Sequence, residues 1–291
     1  MANISASQVK ELREKTSVGM MDAKKALVAA DGDFDKAIAF LREKGIAKAA
    51  KKDGNVAANG LAQVAVHNND AAIVEINSET DFVSTNDTFN DLVDMVTDVI
   101  AIKKPNSMEG ALALPTPKGT INDAIIETTQ ITGEKVSLRR FEVVNKDDNQ
   151  NFGFYLHNGG LIAALVVVEG ADEATAKDVA MHVAATNPEF LDKDQISSDR
   201  LAEEKERLTQ EALKEGKPAN IVEKMVDGRM HKYLAEICLV DQPFVKDPDQ
   251  TVGQYVASKN GTIKSFVRYE VGEGIEKVAK SFEDEVRSQL K

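Results

Sequence analysis

Two carboxylates, Glu79 and Asp81, flank Thr80, and Phe82 and Val83 follow directly. A carboxylate beside a large aromatic could be a probe aimed at another molecule. A hydrolase built on Asp81 or Glu79 would need a paired acid and base with suitable neighbours, and none can be assigned. The other reactive side chains offer less. His67, His157, His182 and His231 show no ligand spacing, which argues against a zinc site. Cys238 is the one cysteine, has no base nearby in sequence, and reads as a buried hydrophobe. There is no P-loop, no G-x-G-x-x-G after a strand and no G-x-S-x-G elbow. Gly272-Glu273-Gly274 lies after a strand and before a helix, but it lacks a third glycine and puts Glu273 where an anion would sit, so turn formation is the better reading. His157 stands at a hairpin tip beside Asn158-Gly159 and is expected to be exposed, for turn preference or for contact alike. No cofactor or metal is implied. These residues describe an interaction protein rather than an enzyme.

The elements around Thr80 to Val83 decide what that corner can do. The apolar run Ala71-Ala72-Ile73-Val74-Glu75-Ile76 reads as a strand, and Ser84-Thr85-Asn86-Asp87 as a polar break. A helical stripe of Phe89, Leu92, Val93, Val96 and Ile100 follows. A strand end meeting a helix start makes a tight corner, and loops held by rigid elements are where function concentrates. Spacing alone favours a plainer view, because Phe82 and Phe89 are one heptad apart: Phe82 is then the first rung of the core stripe and Asp81 a cap of the first turn.

Residues 1 to about 53 read as three short helices. Ser5 and Gln8 form a capping box, with Ile4 and Val9 as its hydrophobic staple. Gly19 is available for a positive φ at the first break. A second helix spans Asp22 to Ala30 with Ala26 and Leu27 inward, and Asp33 caps a third that carries Ala37, Ile38 and Leu41. Met20-Met21 sits at the first turn; at least one methionine is expected in the core and the other on an adaptable partner surface. The basic run Lys48 to Lys52 reads as the charged tail of a helix or a linker.

Beyond it the period turns extended. Leu61, Val64 and Val66 pair with Ile73, Val74 and Ile76 across a His67-Asn68-Asn69-Asp70 turn. A helix from about Asp87 to Ile102, a loop from Asn106 to Pro117, a helix starting at Thr120 and ending at Gly133, and a strand from Val136 to Val144 complete one unit. The pattern then recurs. A hairpin turns at His157 to Gly160, a helix runs from about Asp172 to Thr186, and Thr251 begins another. The closing strands Ser137-Leu138-Arg139-Arg140-Phe141-Glu142-Val143 and Ser265-Phe266-Val267-Arg268-Tyr269-Glu270-Val271 share four of seven residues at an offset of 128, which implies an internal duplication. Into the second copy is inserted a charge-rich helix from Ser197 to Glu215, with Leu201 and Leu208 a heptad apart. It turns at Gly216-Lys217-Pro218 and returns through Ala219 to Ala235 with Ile221, Met225 and Val226 inward. That is an antiparallel helical hairpin, expected to project as an arm. A last helix from about Ile275 carries Val278, Phe282 and Val286.

Composition limits the partners. A formal net charge of −12 weighs against phosphate backbones and anionic membranes. No apolar run approaches the roughly 18 residues of a membrane span. The start, Met1-Ala2-Asn3-Ile4, lacks the features of a signal peptide, and a single cysteine fits a reducing cytoplasm.

Several local sequences together resemble the translation elongation factor Ts family. They are Met20-Met21-Asp22-Ala23-Lys24-Lys25-Ala26-Leu27, Thr80-Asp81-Phe82-Val83, Met181-His182-Val183-Ala184-Ala185, Glu223-Lys224-Met225-Val226, Gly228-Arg229-Met230, Gln242-Pro243-Phe244-Val245 and Tyr269-Glu270-Val271-Gly272-Glu273-Gly274-Ile275-Glu276-Lys277. They keep the family's order over nearly the whole chain. Ala23 stands where a cysteine often occurs, and Ser84-Thr85 replace a commoner alanine and basic residue. The resemblance implies an α+β fold with a ubiquitin-associated-like helical module over 1–53 and core subdomains over 54–145 and 146–271. The arm falls at about 197–235 and a C-terminal helical module over 272–291. It implies a guanine-nucleotide exchange factor, without covalent chemistry, that binds elongation factor Tu in its GDP form and promotes GDP release. Thr80, Asp81, Phe82 and Val83 would displace Mg²⁺ from that partner, and Met20, Met21 and His157 would add contacts. No cofactor, direct nucleic acid or membrane is implied; a homodimer through the core or the arm stays open. The alternative is a non-exchanging scaffold or holdase using the same module and arm.

Overall fold

The computed structural model describes residues 4–16, 18–216 and 218–276. The chain is α+β. Its described residues divide into two compact units: those up to 65, 74–143 and 270–276 form one, and 66–73 with 144–269 form the other.

The first unit opens with α1 (Ala6–Thr16), α2 (Met20–Ala29) and α3 (Phe34–Lys52). The Ser5 amide donates to Gln8 at 2.9 Å and the Gln8 amide to the Ser5 hydroxyl at 3.3 Å, so the capping box forms. Leu12, Ala23, Ala26, Leu27 and Ala37 are fully buried in one small core, with Val9 buried and Ile4 packed at its edge. Two expectations, for Gly19 and Ile38, need correction. Gly19 does not use a positive φ; at φ −61° and ψ 148° it is an extended N-cap whose carbonyl starts α2 two residues early. Lys48 to Lys52 form the charged tail of the 19-residue third helix, one of the two readings of that run, since lysines are good helix formers and suit the negative end of the helix dipole. Ile38, expected inward, is exposed.

Strands β1 (Asn59–His67) and β2 (Asp70–Ser78) are joined at Asn68, which takes the left-handed φ of 56° that such a tight turn requires. Then come α4 (Asp81–Ser84) and α5 (Asp87–Lys103). The segment read as loop holds α6 (Met108–Leu112), capped by Ser107, and the short pair β3 (Pro115–Thr116) and β4 (Gly119–Thr120). Thr120 and Asp123 form a capping box on α7 (Ile121–Thr132), which Gly133 ends at φ 75°. Strand β5 (Ser137–Asn145) lies beside β2, giving the order β1-β2-β5.

The second unit repeats that order. Strands β6 (Gln150–His157) and β7 (Ile162–Glu169) form an antiparallel hairpin, α8 (Glu173–Thr186) follows, and β10 (Thr262–Glu270) joins β7. Between them stand the arm helices α9 (Ser198–Lys214) and α10 (Ala219–Ile237), the pair β8 (Pro243–Phe244) and β9 (Asp247–Thr251), and α11 (Val252–Ser258). Thr251 and Gln254 make on α11 the capping box that Thr120 and Asp123 make on α7. The middle strands β2 and β7 are buried almost throughout, which is why both read as apolar runs, that of β2 broken by Glu75. A Cβ at Gly153 of β6 would meet the Ala176 carbonyl carbon at 2.0 Å, so this glycine lets α8 lie directly on the sheet.

The arm has its own seam of Leu208, Ala212, Val222 and Val226. Ile221, expected inward, is exposed and Val222 takes its place. Leu201 instead packs at the arm's base with Ile196, Ile237 and Cys238. Burial, with Asp241, Asp192 and Glu189 nearby, pushes the Cys238 thiol up to about 11, so it is an inert core residue. The expected last helix, with Val278, Phe282 and Val286, lies outside the described residues; the described chain ends in a turn after Gly272 and Gly274, both at positive φ.

Candidate functional site

Strand β2 delivers Glu79 and Thr80 to the corner, and the one-turn helix α4 carries Asp81, Phe82 and Val83 beyond it. Val83 and Ser84 are buried, which roots the turn. Phe82 is 83% exposed, more than any other large apolar side chain among the described residues. The Asp81 carbonyl accepts from the Ser84 hydroxyl at 2.8 Å, and the Phe82 carbonyl from the Thr85 hydroxyl at 3.0 Å. Asp81 is exposed beside Phe82, and its carboxylate has no hydrogen bond or ion pair among the described residues. The heptad reading of Phe82 therefore fails. Thr85 ends α4 and Asn86 caps α5 anew through the Thr88 amide, so the helical phase of Phe89 does not reach back to Phe82.

What lies behind the corner is tightly bonded. Glu134, directly after the α7 cap, takes the Thr80 amide at 2.9 Å and the Thr80 hydroxyl at 2.6 Å. Glu79 takes the Lys135 amide at 2.5 Å, the Asn55 side chain at 3.0 Å and the Lys52 ammonium at 3.3 Å. Burial raises the Glu79 carboxyl, but those three donors outweigh it and hold the group below its usual range, so it is charged. Asn59 fixes the Glu79 carbonyl at 2.8 Å. Four residues earlier, the fully buried Glu75 accepts from Arg139 at 2.9 Å, Arg140 at 2.5 Å, Asn77 at 3.0 Å and the Gly272 amide at 2.9 Å. Burial again pushes this carboxyl up, and the Gly272 N–H with the arginine and asparagine donors brings it below the ordinary value.

Met20 and Met21 are 50% and 64% exposed, so neither fills the core as expected of one of them. Both precede Asp22, which pairs with Lys48 at 3.1 Å and Lys44 at 3.7 Å. Lys44, Lys48 and Lys52 form one row along α3. The two methionines thus stand near one end of that row and the Glu79 corner near the other, with about 6 Å of helix rise between Lys48 and Lys52. His157 is exposed at the end of β6, 6.2 Å from the Tyr155 ring, and belongs to the other unit. The remaining histidine read in the family pattern, His182, is fully buried between Gln242 at 2.9 Å and the Val245 amide at 3.2 Å; burial lowers it and it is neutral.

Sequence reasoning missed Glu134 as a site residue and saw Glu79 only as a hydrolytic candidate. The bonds their carboxylates make join residues more than twenty positions apart, and those between the two pairs more than fifty, for which the local pattern holds no signal. No group of three or more potential metal-binding side chains occurs among the described residues, and no described helix is long and apolar enough to cross a membrane. The corner can therefore present one rigidly mounted aromatic and one unpaired carboxylate to another molecule.

Comparison with known proteins bears on which molecules use such a corner. The family model described as Elongation factor TS matches residues 79–273, beginning at Glu79 itself. Elongation factor Ts of Levilactobacillus brevis is 68% identical over 290 residues, covering 99% of each chain. The Elongation factor Ts of Lactiplantibacillus plantarum is 64% identical over 291 residues and that of Pediococcus pentosaceus 63% over 290, with at least 99% of both chains covered in each case. With the family model spanning most of the chain and relatives this similar from end to end, the chain belongs to the elongation factor Ts family.

Proposed function

We propose that this protein is a guanine-nucleotide exchange factor that binds elongation factor Tu with GDP bound and speeds GDP release during translation elongation in the cytoplasm. The observation that carries the reading is Phe82: a large aromatic, 83% exposed, on a turn whose neighbours are buried or hydrogen-bonded. Leaving that much apolar surface in water is unfavourable, and a partner that buries it recovers the loss, as aromatic hot spots do. Exchange needs no covalent step. It needs only that the factor bind the nucleotide-free partner better than the nucleotide-bound one, and linkage then makes each ligand weaken the other equally. A coupling of about 4 kcal/mol changes either affinity roughly a thousandfold.

In this reading Phe82 wedges between elements of the GTPase and shifts the residues that support its Mg²⁺. Asp81, unpaired at the tip, competes for donors around that site and repels the returning phosphates. Loss of the metal leaves phosphate charge without its counter-ion, and GDP loosens. Thr80 and Val83 hold the wedge, and Met20, Met21 and His157 add partner surface. The residue ranges 1–53, 54–145, 146–271 and 272–291 serve as module, two core subdomains and C-terminal module. The test is stopped-flow release of labelled GDP from elongation factor Tu. Phe82→Ala and Asp81→Ala are expected to lower the rate at saturating factor about tenfold or more. Wild-type rates in both variants overturn the proposal, and binding without acceleration by the unaltered protein would identify a scaffold instead.

A further inference from the structure

Residues 79–80 and residues 134–135 are cross-bonded, each pair lending a carboxylate to the other's backbone. The Glu134 carboxylate takes the amide and hydroxyl of Thr80, and the Glu79 carboxylate takes the amide of Lys135. We infer that Glu79 and Glu134 are positioning residues that aim Asp81 and Phe82. The inference rests on the proposed role of that corner in GDP release.

Thr80 occupies the N-cap of α4, where a threonine hydroxyl ordinarily accepts from an amide two or three residues on. Here it makes no such cap, because the hydroxyl is turned outward as a donor to Glu134. The turn carrying Phe82 thus lacks its own side-chain cap. A helix of four residues does not hold itself in water, so its direction must come from outside. The direction comes from Glu134, whose bonds to Thr80 are charge-assisted and converge on one residue, a geometry with little rotational freedom. Glu134 is itself placed by the left-handed Gly133 that ends α7.

Glu79 closes the clamp from the other side and extends it. Its second oxygen holds Asn55, and Lys52 reaches the first from the last turn of α3. The same α3 row holds Asp22 beside the exposed methionines. The device therefore sets the wedge relative to α7 and α3 together. A clamp that only stabilised the fold could sit anywhere; this one bonds the residue immediately before Asp81.

The experiment measures labelled GDP release from elongation factor Tu over a range of factor concentrations, separating the rate at saturation from the half-saturating concentration. Glu134→Gln and Thr80→Val are expected to lower the saturating rate about tenfold with the half-saturating concentration within about twofold. Thr80→Ser, which keeps the donor hydroxyl, is expected to stay within about twofold of wild type. Glu134→Gln combined with Phe82→Ala is expected to lose little beyond the larger single loss, since both act through one probe. In Glu134→Ala the Thr80 amide is expected to exchange its hydrogen faster while the melting temperature holds. Should Glu134→Ala melt early, Glu134→Gln keeps the side-chain shape and decides. A wild-type saturating rate in Glu134→Gln beside a slow Phe82→Ala overturns the inference and leaves the role of Phe82 intact. Independent, multiplying losses in the double variant overturn it too, and a wild-type rate in Phe82→Ala overturns both.

Discussion

Phe82 and Phe89 are seven residues apart and face opposite fates: Phe89 is fully buried in the stripe of α5, whereas Phe82 stands in solvent. Phe89→Ala is expected to cost about 3–5 kcal/mol in urea unfolding, and Phe82→Ala no more than about 0.5 kcal/mol, because only the first leaves a cavity. Spacing could not reveal this. A helical period carries meaning only within one helix, and Thr85 and Asn86 interrupt it. The methionine pair was misread for a related reason: α2 starts at Met20, which turns Ala23 and Ala26 inward and both methionines outward. Glu75 makes a different kind of prediction. Its carboxyl lies below the ordinary value of 4.5 in the folded state, so its stabilisation is present above that pH and is lost as pH falls through the folded value. Glu75→Gln is expected to be about 3 kcal/mol less stable than wild type at pH 7, and the gap should narrow steadily in denaturation curves taken below about pH 4.5.

At the scale of elements, the arm was legible in outline and not in register. Two helices with a Gly-Lys-Pro turn, many charges and a narrow stripe predicted a helical hairpin, which α9 and α10 form. Which residues meet was decided by the facing helix, so Val222 took the seam and Ile221 did not. The seam is small, and Leu208 is its largest buried side chain. Leu208→Ala is expected to lose about 2–3 kcal/mol of local stability. Hydrogen exchange should then rise in α9 and α10, with β6 and β7 keeping their protection. Helix starts with a side-chain cap were readable: Ser5 with Gln8 and Asp33 each cap where expected and α7 begins at Thr120, because a cap is a contact between residues two or three apart, whereas α2, with no side-chain cap, starts two residues early. The clamp at Thr80 left no such trace, being built by residues fifty-odd positions away.

For the whole molecule, the duplication was visible because the two closing strands kept four of seven residues, and both sheets prove to share one strand order. The way the chain is distributed was not visible. Neither unit is one contiguous stretch, and the first regains residues 270–276 only after the second is complete. Those residues bring the Gly272 amide to Glu75 and Glu273 to Arg140 at 3.3 Å. A chain ending at Glu270 is expected to lose stability that one ending at Glu276 keeps. Combined with Glu75→Gln, that truncation should cost less than the two losses added, because both remove the same bonds. Thermal or urea unfolding of the four proteins checks it.

The bond from the Gly272 amide to Glu75 also has a meaning in time. The two residues are 197 positions apart. At about 5–20 residues per second, synthesis takes roughly 10–40 s to travel from one to the other. For that interval the nascent strand β2 carries a carboxylate whose last donor does not yet exist. Arg139 and Arg140 can reach that carboxylate once the first unit's last strand has been made, so the Gly272 N–H is the donor that completes its set, long after the strand itself exists.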